Sequence, residues 1–198
     1  MTSETLLLLQ QRLESKLSDK PIVLVRALDE LTLTCLSTES KAVALRLRED
    51  PELAFEQCVD ICGVDYQDYP HPLARNRRFA AVAHLLSIRH NYRLRLRVFA
   101  EDNAHPVLPS LVEVWNSVNW FEREIFDLYG IIFEGHPDLR RILTDYGFIG
   151  YPFRKDFPIS GYAEMHYDAE QQKVVYRPVS IVTRELTPHV LREENYGG

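Results

Sequence analysis

Along this chain the hydrophobic positions fall into three kinds of rhythm. Residues 3–18 place Leu6, Leu9, Leu13 and Leu17 three and four apart, the stripe of an amphipathic helix, with Ser3 in position to cap it and Pro21 to end it. The next apolar residues change period. "IVLV" at 22–25 and "LTLTCL" at 31–36 predict two short strands, the second alternating Leu31, Leu33 and Cys35 with Thr32 and Thr34. A helix is expected through "ESKAVALRLRED". Another is expected through "DPELAFEQCVDICG", where Asp50 is placed to cap, Pro51 to open the first turn and Gly63 to stop it. That assignment puts Cys58 and Cys62 on one helical face.

After a loop at "YPHP" (69–72), residues 78–102 predict a β-hairpin turning near His90 and Asn91. Its second strand alternates Arg93, Arg95 and Arg97 with Leu94, Leu96 and Val98. Alternation alone makes the arginines a solvated outer face; a basic strand docked on an acidic partner is the functional alternative. "SLVEVWNSVNWFEREIFDLYG" predicts one kinked helix or two short ones. Ser110 with Glu113 and Asn119 with Glu122 are spaced as capping boxes, and Gly130 is the terminator. Ile131, Ile132 and Phe133 follow as a short buried strand, and Gly135, His136 and Pro137 as a tight turn. Beyond residue 143 regularity falls, with Pro152, Pro158, Pro178 and Pro188 among turn formers. "GYAEMHYD" and "KVVYRPV" are placed to pair as a small hairpin across "DAEQQ". The pattern as a whole predicts an α+β fold: a mixed or antiparallel β-sheet with helices packed on one side over residues 1–143, and an extended C-terminal tail over 144–198. A tail with this many tyrosines and prolines cannot easily build its own core and is too apolar for a disordered linker, so it is expected to pack on another surface.

Composition narrows the class. The chain has 198 residues, 45% apolar and 26% charged, with a formal net charge of -6. That balance disfavours a nucleic-acid binder, which needs a basic face to displace phosphate counterions. The longest apolar runs fall far short of a bilayer span, and the N-terminus lacks the basic region and cleavage site of a signal peptide. The expectation is a cytoplasmic chain, at most peripheral to a membrane. Three cysteines, Cys35, Cys58 and Cys62, give neither a disulfide framework nor the paired C-x-x-C of a zinc or iron–sulfur site.

The densest chemistry lies in "WFEREIFDLYGIIFEGHPDLRRIL", residues 120–143. Glu122, Glu124, Asp127 and His136 offer carboxylates and an imidazole for a metal or for acid–base work. Their spacing matches neither H-E-x-x-H nor E-x-x-H, and the chain contains no nucleophile elbow, phosphate loop or dinucleotide fingerprint. The competing structural assignment pairs Arg123 with Asp127 one helical turn apart. It sets Arg140 and Arg141 beside the acids and makes His136 a turn residue donating a hydrogen bond.

The same run, followed by "GYPFRKDFP", resembles the signature of the 30-kDa subunit family, the C subunit of the proton-translocating NADH:quinone oxidoreductase, respiratory complex I. The residues that carry the resemblance are Glu122, Arg123, Glu124, Asp127, Gly130, Phe133, His136, Pro137, Leu139, Arg140 and Arg141, with Ile142 and Leu143 after them. It extends to "FEQCVDICGVDY" at 55–66, and the length resembles the separate bacterial form rather than one fused to the D subunit. The resemblance implies a subunit of the hydrophilic arm, peripheral on the cytoplasmic side of the bacterial inner membrane, with no catalytic residue, cofactor or metal of its own. FMN, iron–sulfur clusters and quinone would belong to other subunits, and the partners would be chiefly the D subunit, with the B and I subunits. Two alternatives stay open at this stage: the equivalent subunit of a related quinone-reductase or membrane-bound hydrogenase arm, and a stand-alone metal-dependent enzyme using the acidic and histidine cluster.

Overall fold

A computed structural model describes residues 3–69 and 77–181. Two compact units emerge, residues 1–155 and 156–198, so residues 144–155 belong with the first unit although their composition groups them with the tail. The first unit opens with helix α1 (Ser3–Lys16); its stripe leucines Leu6, Leu9 and Leu13, and Leu17 just after it, are all fully buried. Each such leucine contributes about 1.5–3 kcal/mol of hydrophobic stabilisation. The side chain of Ser3, the expected cap, lies outside the described residues, as do residues 70–72 of the expected loop and Pro188.

Strands β1 (Ile22–Ala27) and β2 (Glu30–Cys35) form an antiparallel pair, and α2 (Ser40–Glu49) follows a single 3-10 turn. Three more strands, β3 (Gln57–Asp65), β4 (Phe79–Ser87) and β5 (Tyr92–Phe99), complete a five-stranded sheet in the order β1-β2-β5-β4-β3. The β2–β5 pair is parallel and the other three are antiparallel, so the sheet is mixed, as expected. One core joins the α1 stripe, Val43 and Leu47 of α2, and the inward side chains Leu33, Leu85, Leu94 and Leu96 of the sheet.

Residues 50–63 are not the expected helix. Asp50 does organise a turn, accepting from the Glu52 N–H at 2.8 Å, but Ala54 then takes a left-handed conformation (φ +45°) and the chain enters β3. A bulge between Cys58 and Asp60 shifts the strand's register. Cys58 therefore packs in the core opposite Leu85, while Cys62 stands beside Val82 and points its thiol to the Val82 carbonyl. The spacing of four between the cysteines mimics a helical face; the bulge turns Cys58 and Cys62 to opposite sides of the strand. The β5 arginines do share the face opposite Leu94, Leu96 and Val98. Arg95 is tied within the sheet to Glu30 and Thr32, and Arg97 lies 5.9 Å from the Tyr66 ring centre.

The expected long helix after Ser110 is also shorter: residues 111–117 form turns, and α3 runs from Val118 to Tyr129. Neither local capping box forms. Glu113 pairs with Lys41, and Glu122 reaches back twelve residues to Ser110. Strands β6 (Val107–Pro109) and β7 (Ile132–Glu134) make a small parallel pair that brackets α3. The second unit contains the predicted hairpin, β8 (Ala163–Asp168) paired antiparallel with β9 (Lys173–Pro178). Among the described residues no helix is long and apolar enough to cross a membrane.

Candidate functional site: a charged corner around α3

The acids and bases of residues 120–143 separate into those that hold this chain together and those that do not. Glu122 has no exposed surface; its carboxyl accepts the Ser110 hydroxyl at 2.6 Å and the Leu111 N–H at 2.7 Å. Burial pushes its pKa up to about 7, against the lowering effect of those two hydrogen bonds. Arg123, 8% exposed, does not pair with Asp127. Its guanidinium donates to the main-chain carbonyls of Arg140 (3.1 Å) and Arg141 (3.3 Å) and lies over the Trp120 ring.

Asp127 is the centre of the corner. Fully buried, it accepts the N–H groups of Ile142, Leu143 and Thr144 at 2.7–3.0 Å, the Thr144 hydroxyl, and the Arg141 guanidinium at 2.9 Å. Burial alone would raise its pKa. The hydroxyl and N–H of Thr144, with the other two N–H groups, outweigh that and hold the carboxyl well below the usual range. Arg141 also donates to Thr144 and to the Gly150 carbonyl, so one carboxylate and one guanidinium fix the whole of 141–150 against α3.

Gly130 ends α3 in the left-handed conformation (φ +72°), as expected of a terminator. The last helical carbonyls are satisfied from the same loop: the Phe153 N–H donates to Leu128 and the Arg154 guanidinium to Tyr129 at 2.6 Å. Farther on, Asp65 at the end of β3 binds Arg78 through two hydrogen bonds and accepts the Lys155 N–H at 2.9 Å. Residues 138–155 are thus fastened at three points, which is why they belong to the first unit. Thr144, Arg154 and Asp65 are not individually legible as site residues in the sequence. Asp65 lies just beyond the stretch whose spacing mimics a helix, and the other two become visible only once Asp127 and the end of α3 are seen to need donors.

A β-carbon at position 130 would stand 2.6 Å from the Tyr151 ring and 2.7 Å from an Arg154 nitrogen, besides adopting a left-handed conformation. Gly130→Ala is therefore expected to cost about 1–2 kcal/mol from backbone conformation alone, with a further loss as Arg154 is displaced. Thermal unfolding followed by tryptophan fluorescence checks it, and an unchanged Tm would refute the capping role.

His136 accepts the Asp138 N–H at Nδ1 and donates from Nε2 to the Asn119 carbonyl at 3.1 Å, so it latches the 135–138 turn to the start of α3. Phe133 is buried in the core and Leu139 packs at its margin, while Pro137 is exposed. Arg140 is 70% exposed and pairs with the exposed Asp138, an ion pair worth little to stability. Glu122, Glu124, Asp127 and His136 do not converge on a common point: three are engaged separately, as above, and Glu124 stands apart. Among the described residues no three His, Cys, Asp or Glu side chains come together as a metal site would need. Burial pushes the Cys35 and Cys58 thiols up to about 12.

The fold and corner define an α+β chain whose signature charges are mostly spent on fixing a helix end and the loop that wraps it. The chain belongs to the family of the respiratory-chain NADH dehydrogenase 30 Kd subunit, which matches residues 33–163. It is 62% identical over 190 residues to the C subunit of the NADH-quinone oxidoreductase of Cupriavidus pinatubonensis, covering 96% of each chain. With the protein of the same name from Paraburkholderia xenovorans it shares 66% identity over 172 residues, 87% of this chain and 86% of that one. A chain in the structure of the membrane-bound sulfane sulfur reductase, an archaeal respiratory membrane complex, has the same fold. The TM-score is 0.56 at 19% identity, covering 76% of this chain and 85% of that one.

Proposed function

We propose that the chain is a scaffolding and assembly subunit, without a cofactor of its own, in the hydrophilic arm of a proton-translocating NADH:quinone oxidoreductase. The observation that carries this is the identity of about 60% over nearly the whole length with relatives named as the C subunit of NADH-quinone oxidoreductase. In that assembly other subunits hold the FMN, iron–sulfur clusters and quinone that carry electrons from NADH. The chain sits peripherally, on the cytoplasmic side of a bacterial inner membrane, chiefly against the D subunit and also against the B and I subunits. The second unit supports a packing role: its hairpin exposes Met165, Tyr167, Val174 and Tyr176, apolar surface of the kind that marks interaction sites.

The test is capture of the tagged chain from native membrane extract, with the co-purifying subunits identified, beside an Arg141→Ala variant. Removing Arg141 unfastens the 141–150 loop, so the content of assembled complex on native gels is expected to fall several-fold. NADH–quinone turnover per assembled complex is expected to stay near wild type. Normal complex content with abolished turnover would overturn the scaffolding role and place the corner in the chemistry.

A further inference from the structure

Among the charged residues of the corner, Glu124 stands apart. Glu122, Arg123 and Asp127, on the same helix, each have two or more hydrogen bonds within the chain. Glu124 is half-buried and makes no hydrogen bond or ion pair among the described residues. It lines a groove of about 150 Å³ between α3 and β3, and the Asp60 carboxylate, likewise unpaired among the described residues, lines the same groove. The strand on this side is the last of the sheet, so its outer main-chain groups have no strand partner there. The walls are aromatic: Tyr129 and Phe153 meet edge to face with ring centres 5.8 Å apart. Gly63 lets the helix seat this closely, since a β-carbon there would fall 2.6 Å from the Tyr129 ring.

Both carboxylates are half-buried and unpaired among the described residues, although Arg95 lies near enough to act on Cys62 beside them. Their charge is felt inside the groove: after burial, both Asp60 and Glu124 help push the Cys62 thiol upward, and Glu124 acts in the same direction on Tyr129. A cysteine held as a thiol is a poor metal ligand, and two carboxylates alone make an incomplete cation site. A flat cation that accepts stacking and presents several donors suits the walls and the acids together, and that cation is a guanidinium.

We propose that the α3–β3 groove is a docking socket for an arginine side chain of a neighbouring subunit, received by Glu124 and Asp60 against the Tyr129 and Phe153 rings that wall the groove. This deepens the assembly-subunit role proposed above and rests on it. The geometry makes Glu124 the one acid of the E-R-E run that faces outward to a partner, while its neighbours fix the shape that presents it.

The test uses chromosomal Glu124→Gln and Asp60→Asn, singly and together, in the intact complex. Glu124→Gln keeps the side chain's size and breaks no internal bond, so the Tm of the isolated full chain is expected to match wild type. Retention of the chain in detergent-solubilised complex is expected to fall about tenfold for the double variant, with its sensitivity to added salt blunted. Wild-type retention and salt dependence in the double variant would overturn the socket, while co-purification of the wild-type chain with other subunits would leave the assembly role standing. Failure of the wild-type chain to enter any complex would instead defeat the assembly role. A carbodiimide cross-link joining Glu124 to a partner lysine would overturn the assignment to arginine. So would stoichiometric Mg²⁺ or Zn²⁺ on the isolated chain that Glu124→Gln loses.

Discussion

Asp127→Asn is expected to destabilise the first unit by roughly 3–5 kcal/mol, the range for removing one partner from a buried charged network. The side chain would keep its shape, yet one of its two oxygens becomes an NH2 group facing donors. The N–H groups of Ile142, Leu143 and Thr144 converge on one carboxylate oxygen, and the Thr144 hydroxyl and Arg141 guanidinium on the other. Whichever oxygen is replaced, buried donors lose their acceptor and Arg141 loses its counter-charge, each at a cost of about 1–3 kcal/mol. Both tryptophans, Trp115 and Trp120, lie in residues 1–155, so the urea midpoint followed by tryptophan fluorescence reports on this unit alone. Thr144→Val, which deletes only the hydroxyl, should lose about 1–2 kcal/mol by the same measurement.

The pH dependence of Asp127 carries its own sign. Its folded pKa lies below the unfolded value of about 3.9, so its contribution is present in full above that value and drains away as pH falls toward the folded one. Wild-type stability should therefore decline as pH drops below about 4, and Asp127→Asn should decline less steeply. A variant within about 1 kcal/mol of wild type, or an unaltered acid limb, would show that the corner does not depend on this carboxylate.

What the sequence made legible tracks how local each interaction is. The leucines of α1 and the Arg–Leu alternation of β5 declare their periods because one face of each element meets the core and the other does not. The β8–β9 hairpin declares itself through its turn. β3 does not, because a bulge between Cys58 and Asp60 breaks the period of two and leaves the buried Cys58 and Ile61 three apart, a helical spacing. The charged run is legible in the sequence as a concentration of acids and bases but not in its wiring. Arg123 and Asp127 are four apart, and Ser110 and Glu113 three apart, so local pairing is the natural expectation. A buried carboxylate needs several donors at once, however, and a single side chain one turn away supplies too few. Those donors are main-chain N–H groups at 142–144, which nearly any residue type provides and which leave no mark in the sequence. Charge alone groups Glu124 with its neighbours; only burial and partners separate it from them.

Glu122 should behave in the opposite sense to Asp127. Its pKa is raised from 4.5 to about 7 by burial, so the folded state prefers the protonated carboxyl. The stability attached to that proton is complete below the unfolded pKa and is lost as pH rises through the folded one. At about 1.4 kcal/mol per unit, that displacement caps the loss at about 3 kcal/mol between pH 4.5 and about pH 8. Glu122→Gln resembles the protonated acid: its amide oxygen accepts the Leu111 N–H while its nitrogen donates to the Ser110 hydroxyl, so both contacts survive, the one to Ser110 with its direction reversed. The variant is expected to match wild type near pH 4.5 and to exceed it by up to about 3 kcal/mol at about pH 8, erasing the slope between. Urea midpoints at the two pH values decide this, and a variant weaker than wild type at the higher pH would mean that the buried carboxylate is favoured as an anion. A carboxyl held near neutrality at the root of α3 leaves Glu124, one residue beyond Arg123, to carry the negative charge that this helix turns outward.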